Sequence, residues 1–374
     1  MLLRCREFSG RLLRPLLQKQ RGLSSHQPLL SARMDLPAVL EVLERLAPLS
    51  LAESWDNVGL LVEPSKPRRV SSILLTNDLT AAVMDEAEAL RCDLIVSYHP
   101  PLFRPIKRLL QEDWKQRLVL RAVEAGIAVF SPHTAWDSVQ DGLNDWLVGG
   151  MGGGSVSVLR QAHCSGPQKH RLEFSCKTEA ELQRLLQQFG LVQCSVVRTE
   201  GGGQQVVLTC PSSGVTAAAQ ILLTDPHASR SLNITQVQPP PLLGCGQGRL
   251  SVLDQPVSVS TAVQRMKTHL GLSHLRLALG DQHTLDSPVK TVAVCAGSGA
   301  SVLQGVKADL FITGEMSHHE VLDAVSAGTS VILSEHSNSE RGFLTVFRQR
   351  LIAGLDETVS VEISRRDRDP LQVL

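Results

Sequence analysis

Residues 93–103 have the sequence DLIVSYHPPLF, and this stretch decides the fold. Its first five residues predict a buried strand, which ends at Pro100 and Pro101 because proline has no N–H to donate to a β-ladder. His99 is therefore expected at the carboxyl edge of a strand. Open α/β sheets bind their ligands at that edge.

The same arrangement, an apolar strand followed by ligand-type residues and then a helix, occurs at three other places. These are residues 129–133 (VFSPH) with Asp137, residues 311–315 (FITGE) with His319, and residues 331–336 (VILSEH) with Glu340. We predict that the four strand ends converge on one site and that the rest of the chain positions them.

The composition is that of an ordinary globular protein. Of 374 residues, 43% are hydrophobic and 20% are charged, and the formal net charge is +0. The length indicates two or three domains. A chain without net charge has no global field that attracts nucleic acid, so we expect no direct nucleic-acid binding, although a local basic patch stays open. No apolar run reaches the ~18 residues of a membrane span, so we expect no integral membrane protein.

The eight cysteines are scattered, and none forms a Cys-x-x-Cys pair. This spacing argues against a thiolate zinc site. Cys92, Cys210 and Cys295 lie in or beside apolar strands and are expected to be buried as small hydrophobic residues. We infer a reducing compartment.

Residues 1–34 differ from the rest of the chain, with seven basic residues against the single acid Glu7. An arginine-rich, acid-poor segment with interleaved leucines is typical of a mitochondrial presequence, and a disordered basic tail is the alternative. A start at Met34 would remove the segment. We therefore expect the cytoplasm and nucleus as the location, with the mitochondrion, reached through residues 1–34, as the alternative.

From residue 35 onward, strands and helices alternate, which indicates parallel strands with right-handed crossovers. A glycine-rich segment at 149–154 ends this first unit. Residues 160–240 then follow the order β-α-β-β-α-β, which is the ferredoxin-like order. The predicted fold class is α/β: two related α/β units, residues 35–155 and 246–374, form a metal cleft and are interrupted by an inserted ferredoxin-like α+β domain.

Four strand-end residues are candidate metal ligands: His99, Asp137, His336 and Glu340. Histidine together with carboxylate suits zinc, iron or manganese. His336 and Glu340 are four residues apart and share a face if a helix begins there. Asp137 is expected just before a helix, whose dipole favours the ionised carboxylate. Each residue alone also fits a surface histidine or a simple helix cap.

Three further features are weaker signals. The loop Gly297-Ser298-Gly299 lies between a strand and a helix, so its N–H groups are candidates to hold an anion, although close helix packing also explains the glycines. Glu315 and His319 are candidates to move a proton near a reactive water. Residues 55–60 (WDNVGL) form either a plain turn or a polar loop over the site.

Taken in order, these motifs resemble the NIF-three-like family (Ngg-one-interacting factor three). The resemblance runs from about residue 35 to residue 351 and rests on WDNVGL at 55–60, YHP at 98–100, HT at 133–134 with Asp137, CAGSG at 295–299, ITGE at 312–315 with His319, and His336 with Glu340. It implies two α/β halves around a two-metal site, with an inserted ferredoxin-like domain in some members and a homo-oligomeric, hexameric assembly. It also maps the metal ligands onto His99, Asp137, His336 and Glu340.

The sequence departs from the family pattern at Tyr98, where many bacterial relatives have a second histidine. Neutral tyrosine is a poor ligand because its pKa is ~10. The chain is therefore expected to hold one or two divalent ions. Either the second position is weak, or His133 or His319 compensates.

Two classes of function follow from the resemblance. Bacterial relatives are labelled GTP cyclohydrolase type 2-like, which implies a metal-dependent hydrolase that acts on a nucleotide-like substrate. Founding eukaryotic members are named for binding transcription regulators, which implies a non-catalytic interaction protein. The intact carboxylates favour the hydrolase and Tyr98 favours the interaction protein.

Overall fold

The structure is a computed structural model that describes residues 34–65, 69–164, 169–189, 193–198 and 204–373. The predicted presequence falls almost entirely on residues 1–33, which lie outside the described residues.

The described residues form fifteen strands and twelve α-helices. The strands are β1 (Gly59–Val62), β2 (Ser72–Thr76), β3 (Leu94–Ser97), β4 (Ala128–Ser131), β5 (Gly154–His163), β6 (Lys169–Cys176), β7 (Gln193–Arg198), β8 (Gln204–Pro211), β9 (Asn233–Val237), β10 (Pro241–Ser258), β11 (Arg276–Ala278), β12 (Pro288–Cys295), β13 (Leu310–Thr313), β14 (Ser330–Leu333) and β15 (Ser360–Ile363). The helices are α1 (Leu36–Leu46), α2 (Ala81–Ala89), α3 (Trp114–Ala125), α4 (Thr134–Ser138), α5 (Leu143–Gly149), α6 (Glu179–Phe189), α7 (Val215–Leu223), α8 (Pro226–Ser231), α9 (Val259–Leu270), α10 (Ala300–Leu303), α11 (His318–Ser326) and α12 (Phe343–Gly354).

The first sheet has the strand order β1-β4-β3-β2-β15. Strands β15, β2, β3 and β4 are parallel, and β1 is an antiparallel edge strand. Every residue of β3 and β4 is buried, which explains their unbroken apolar sequences. β15 lies within the predicted second unit, residues 246–374, yet it pairs with β2. The end of the chain therefore returns to the first sheet.

The second sheet has the order β11-β14-β13-β12-β10-β5. Its parallel strands β12, β13 and β14 match the prediction. β5 and β10, which the sequence analysis did not predict, form a long antiparallel pair beside them. One apolar core joins both sheets, because residues such as Leu94 of β3 and Ile312 of β13 belong to the same buried cluster.

A third, four-stranded sheet has the order β7-β8-β6-β9, with every pair antiparallel. Its core is separate and includes Leu172, Phe174 and Leu222. It comprises residues 169–237, inside the predicted insert at 160–240.

Helix ends follow the local sequence. The Asp113 side chain accepts the N–H of Gln116 and begins α3, and Gly126 ends it with φ +66°. The prediction that Asp137 precedes a helix is wrong, because Asp137 lies inside the short α4. Cys92, Cys210 and Cys295 are buried, as predicted. No helix in the described part of the chain is long and apolar enough to cross a membrane.

Candidate metal centre

Three predicted ligands meet where β3 and β14 end. The Nε2 atoms of His99 and His336 are 3.3 Å apart. Glu340 places Oε1 3.3 Å from Nε2 of His336 and Oε2 3.5 Å from Nε2 of His99. One ligand atom from each of the three residues falls within 4.8 Å of the others, so the group has the size of a metal site.

Glu340 is 2% exposed, and burial raises the pKa of its carboxyl well above the ordinary value, with Asp137 adding to the rise. The side-chain amide of Asn77 donates a hydrogen bond to Oε2 of Glu340 at 3.0 Å. Asp137 is also buried, and burial raises its pKa to about 6. Two buried carboxyls in one place need protons or a cation for compensation.

Each of three histidines has a carboxylate against its Nδ1 atom. The pairs are His99 with Asp78 at 2.9 Å, His133 with Asp56 at 2.7 Å, and His336 with Glu315 at 2.8 Å. Metal-binding histidines usually have such a partner, which fixes the ring and leaves the other nitrogen for the ion. The pKa of Asp56 and of Asp78 is lowered, since hydrogen bonds and charge from the histidines outweigh burial, while burial lowers the pKa of His99.

Tyr98 is buried and is hydrogen-bonded to Asp137. Its hydroxyl donates to Oδ1 of Asp137 at 2.7 Å, and burial raises the pKa of the phenol well above its ordinary value. Tyr98 is therefore a neutral donor that orients a carboxylate.

The donor set fits a divalent ion. Two imidazole nitrogens and a buried carboxylate are ligands that zinc, iron and manganese accept, and a cation would neutralise Glu340. The predicted divalent-metal site is thus supported for His99, His336 and Glu340. Asp137 lines the same cavity outside this close group, so its role as a ligand stays a prediction.

The end of the chain contacts the loops that carry the site. The Asp367 carboxylate, 1% exposed, accepts the backbone N–H of Asn77 at 2.7 Å and contacts Arg341 at 3.3 Å. Asp369 accepts from the Ser337 hydroxyl at 2.9 Å. Residues on both sides of Glu340 are therefore held by the C-terminal segment.

The Gly297-Ser298-Gly299 loop packs against the same group. A Cβ at Gly297, whose φ is +61°, would lie 2.7 Å from Oε1 of Glu340, so close approach requires glycine here. The N–H of Gly297 donates to Ser339, and the N–H of Gly299 donates to Thr313. The prediction that these two amides point outward to an anion is wrong, because both are bound within the protein.

Glu315 and His319 are placed differently. Glu315 accepts from Ser298 at 2.5 Å as well as facing His336, and these contacts lower its pKa. His319 is exposed in the first turn of α11, outside the residues that line the cavity. Their predicted part in proton transfer stays a prediction.

The site opens into a cavity of about 500 Å³. Its wall includes Trp55, Phe103, Lys115 and Arg160 besides the residues of the metal group. A larger cavity, of about 670 Å³, is lined by residues of α10 and α11 and of the chain around β12 and β13, and its lining has no histidine. The candidate metal ligands therefore line the smaller cavity.

The sequence analysis missed three contributors: Asp56, Asn77 and Asp78. Asn77 and Asp78 follow β2, so the strand-end rule that selected His99 applied to them as well. Asp56 belongs to the WDNVGL loop, where its carboxylate holds both His133 and Thr134. Of the two alternatives for that loop, a polar loop over the site is the one observed.

A sequence profile of the family Duf34/NIF3 (NGG1p interacting factor 3) matches residues 34–370. The chain belongs to this family. NIF3-like protein 1 of Rattus norvegicus is 48% identical over 353 residues, which are 91% of this chain and 93% of that protein. NGG1-interacting factor 3 of Saccharomyces cerevisiae is 29% identical over 361 residues, which are 91% of this chain and 98% of that protein.

The solved structure of a Bacillus cereus protein related to NIF3 is similar to this NIF3 chain, with a TM-score of 0.65 and 20% identity. The match covers 92% of this chain and all of the other. At this identity the likeness shows the fold alone. The predicted family is confirmed, as is the mixed α/β fold.

Proposed function

We propose that this NIF3 chain is a divalent-metal-dependent hydrolase that acts on a nucleotide-like substrate. The observation that carries the proposal is the open cavity beside oriented histidines. Structural metal sites are closed by protein ligands, whereas catalytic sites keep a position open. Here His336 is 38% exposed at a cavity of about 500 Å³.

Backbone strain at the site supports the same proposal. His133 has φ +32° and Glu335 has φ +70°, in a region that non-glycine residues rarely adopt. Such residues cost on the order of 1–3 kcal/mol and cluster at functional sites. Both flank the cavity, one next to α4 and the other directly before His336.

In the proposed reaction, a divalent ion held by His99, Asp137, His336 and Glu340 would supply Lewis acidity and lower the pKa of water. The protein residues have separate tasks. Asp78 and Glu315 fix the rings of His99 and His336 so that their Nε2 atoms face the cavity. The Tyr98 hydroxyl donates a hydrogen bond to Asp137 and fixes the orientation of this carboxylate.

The test is a screen of nucleotides with purified protein and added zinc, iron or manganese, with products separated by chromatography. We expect turnover that is lost in Glu340→Gln and kept in Glu357→Gln, which changes an exposed glutamate. Turnover that survives in Glu340→Gln, or its absence with every metal and nucleotide, would remove the hydrolase proposal.

The alternative is an interaction protein that binds transcription regulators. The name of the yeast relative, NGG1-interacting factor 3, favours it. A protein that serves only as an interaction partner needs no intact metal centre. Full partner binding by Glu340→Gln, with no turnover by the wild-type protein, would favour this alternative.

We further infer that residues 169–237 are a ferredoxin-like insert between two α/β units. The element order β6-α6-β7-β8-α7-β9 and the sheet order β7-β8-β6-β9 support this assignment. The strands on either side, β5 and β10, already meet at the base of the insert, where the Cys164 N–H donates to the Pro240 carbonyl at 2.9 Å.

Replacing residues 165–239 with an Asn-Gly turn should leave a folded core that binds metal. β5 and β10 would continue as a hairpin across this turn, and the insert has a separate apolar core. Thermal denaturation and metal analysis of the shortened protein check the prediction. Insoluble protein without a cooperative transition would contradict the proposed boundary.

A further inference from the structure

Four residues form the outer wall of the metal cavity, and we call them the rim: Trp55, Phe103, Lys115 and Arg160. They come from distant parts of the chain. Trp55 belongs to the WDNVGL loop, Phe103 to the loop after β3, Lys115 to α3 and Arg160 to β5. None has a role in the metal group described above.

The two aromatic residues present unused apolar surface to the cavity. Trp55 is 59% exposed and Phe103 is 40% exposed, with ring centres 5.9 Å apart in an edge-to-face arrangement. The His133 ring lies behind both, 6.1 Å from Trp55 and 6.2 Å from Phe103. Exposed aromatic surface grouped at a cavity marks a binding site better than single exposed residues do.

The two cations of the rim lack a carboxylate partner among the described residues. Lys115 contacts the Trp114 ring at 5.5 Å, and the Arg160 guanidinium donates to the Ser301 carbonyl. Of the acids that line the cavity, Asp78, Asp137 and Glu340 are hydrogen-bonded within the metal centre, and Glu53 is the remaining one. The aromatic group alone would also suit a cationic ligand, but Lys115 and Arg160, two cations that line the same cavity, oppose one.

We propose that the rim binds an anionic ligand with a planar aromatic ring, of the nucleoside monophosphate class. Trp55 and Phe103 take the ring, and Lys115 and Arg160 take the phosphate. The phosphate site thereby differs from the Gly297–Gly299 loop, whose two glycine amides are occupied. This inference rests on the proposed function for the position of the ligand beside the metal centre.

Isothermal titration of manganese-loaded protein tests the rim with three probes: guanosine monophosphate, ribose 5-phosphate and inorganic phosphate. The nucleotide should bind more tightly than the other two. Trp55→Ala should weaken nucleotide binding about tenfold, or about 1.4 kcal/mol, because the base loses an aromatic ring on which it stacks. The same variant should leave ribose 5-phosphate binding unchanged. Lys115→Ala should weaken both phosphorylated probes and reduce the salt dependence of binding.

Leu109→Ala and Lys307→Ala are matched controls, because both change exposed side chains outside the lining of the metal cavity. Phe103→Ala serves as a second ring variant, and metal content is measured in every protein. The inference would be overturned if nucleotide and inorganic phosphate bind equally tightly. It would also be overturned if the wild-type protein and both ring variants bind the nucleotide equally tightly. Rim-dependent nucleotide binding without turnover would support it while counting against the proposed hydrolase.

Discussion

Glu340→Gln should reduce metal affinity by at least about 100-fold and, in the metal-free protein, should raise the melting temperature at pH 8. The first effect follows because the Glu340 carboxylate faces both histidines and supplies the charge of the group. The second follows because this carboxyl is buried with a raised pKa, so its ionised form destabilises the metal-free fold. Glutamine keeps the shape and removes the charge.

The pH dependence has a definite sign. A carboxyl whose pKa is higher in the folded than in the unfolded protein contributes stability at low pH that is lost as the pH rises. For Asp137 the window extends from 3.8, its ordinary pKa, to about 6. This shift corresponds to roughly 3 kcal/mol at 1.36 kcal/mol per pKa unit. The Asp137 carboxyl should therefore contribute less stability to the metal-free protein at pH 8 than at pH 5, whereas His99, whose pKa is lowered, contributes in the opposite direction.

Thermal denaturation in the presence of a chelator, at pH 5 and pH 8, measures both effects. The gain in melting temperature for Glu340→Gln should be larger at pH 8, and Asp137→Asn should behave in the same way. Glu357→Gln is the control for an exposed glutamate. Identical melting curves for the wild-type protein and both site variants at pH 8 would show that the buried, ionised carboxyls do not destabilise the metal-free fold.

The parallel strands and the strand-end ligands were predictable because both depend on local sequence. His99 follows a buried strand and two prolines stop the ladder, so its position required no tertiary information. β10 was not predictable in the same way. It begins at the third of three consecutive prolines and contains Gly244, Gly246 and Gly248, a composition that indicates a loop. Its long pairing with β5 is a tertiary contact that overrides local preference.

The partners of the ligands depend on the folded chain. Asp56 meets His133 across 77 residues of sequence, and Asn77 meets Glu340 across 263. Tyr98 could be excluded as a good ligand from its chemistry alone. Its hydrogen bond to Asp137 could not be foreseen, because it requires the residue after β3 to lie beside α4 in the folded chain. The candidate ligands were therefore predictable from residue type and strand ends, whereas the groups that orient them come together only in the folded chain.

Asp367→Asn should weaken metal binding about 10–100-fold although residue 367 does not contact the metal group. Its carboxylate is 1% exposed and connects two loops: it accepts the Asn77 N–H at 2.7 Å and faces Arg341 at 3.3 Å. Asn77 in turn donates to Glu340 at 3.0 Å, and Arg341 is the next residue in the chain. Asparagine removes the charge opposite Arg341 and keeps only one acceptor oxygen, so Asn77 and Arg341 can no longer both bind residue 367 as they do now. Groups that hydrogen-bond to metal ligands typically change metal affinity about 10–100-fold when they are mutated.

Metal titration of Asp367→Asn, followed by melting of the metal-free and metal-saturated forms, checks this expectation. Asp286→Asn, which changes an exposed aspartate, is the control. A role in positioning predicts a lower metal affinity with a cooperative transition retained, and saturating metal should restore most of the stability because binding to the folded state stabilises it. Wild-type metal affinity together with a lower melting temperature would instead assign Asp367 to the stability of the C-terminal segment alone.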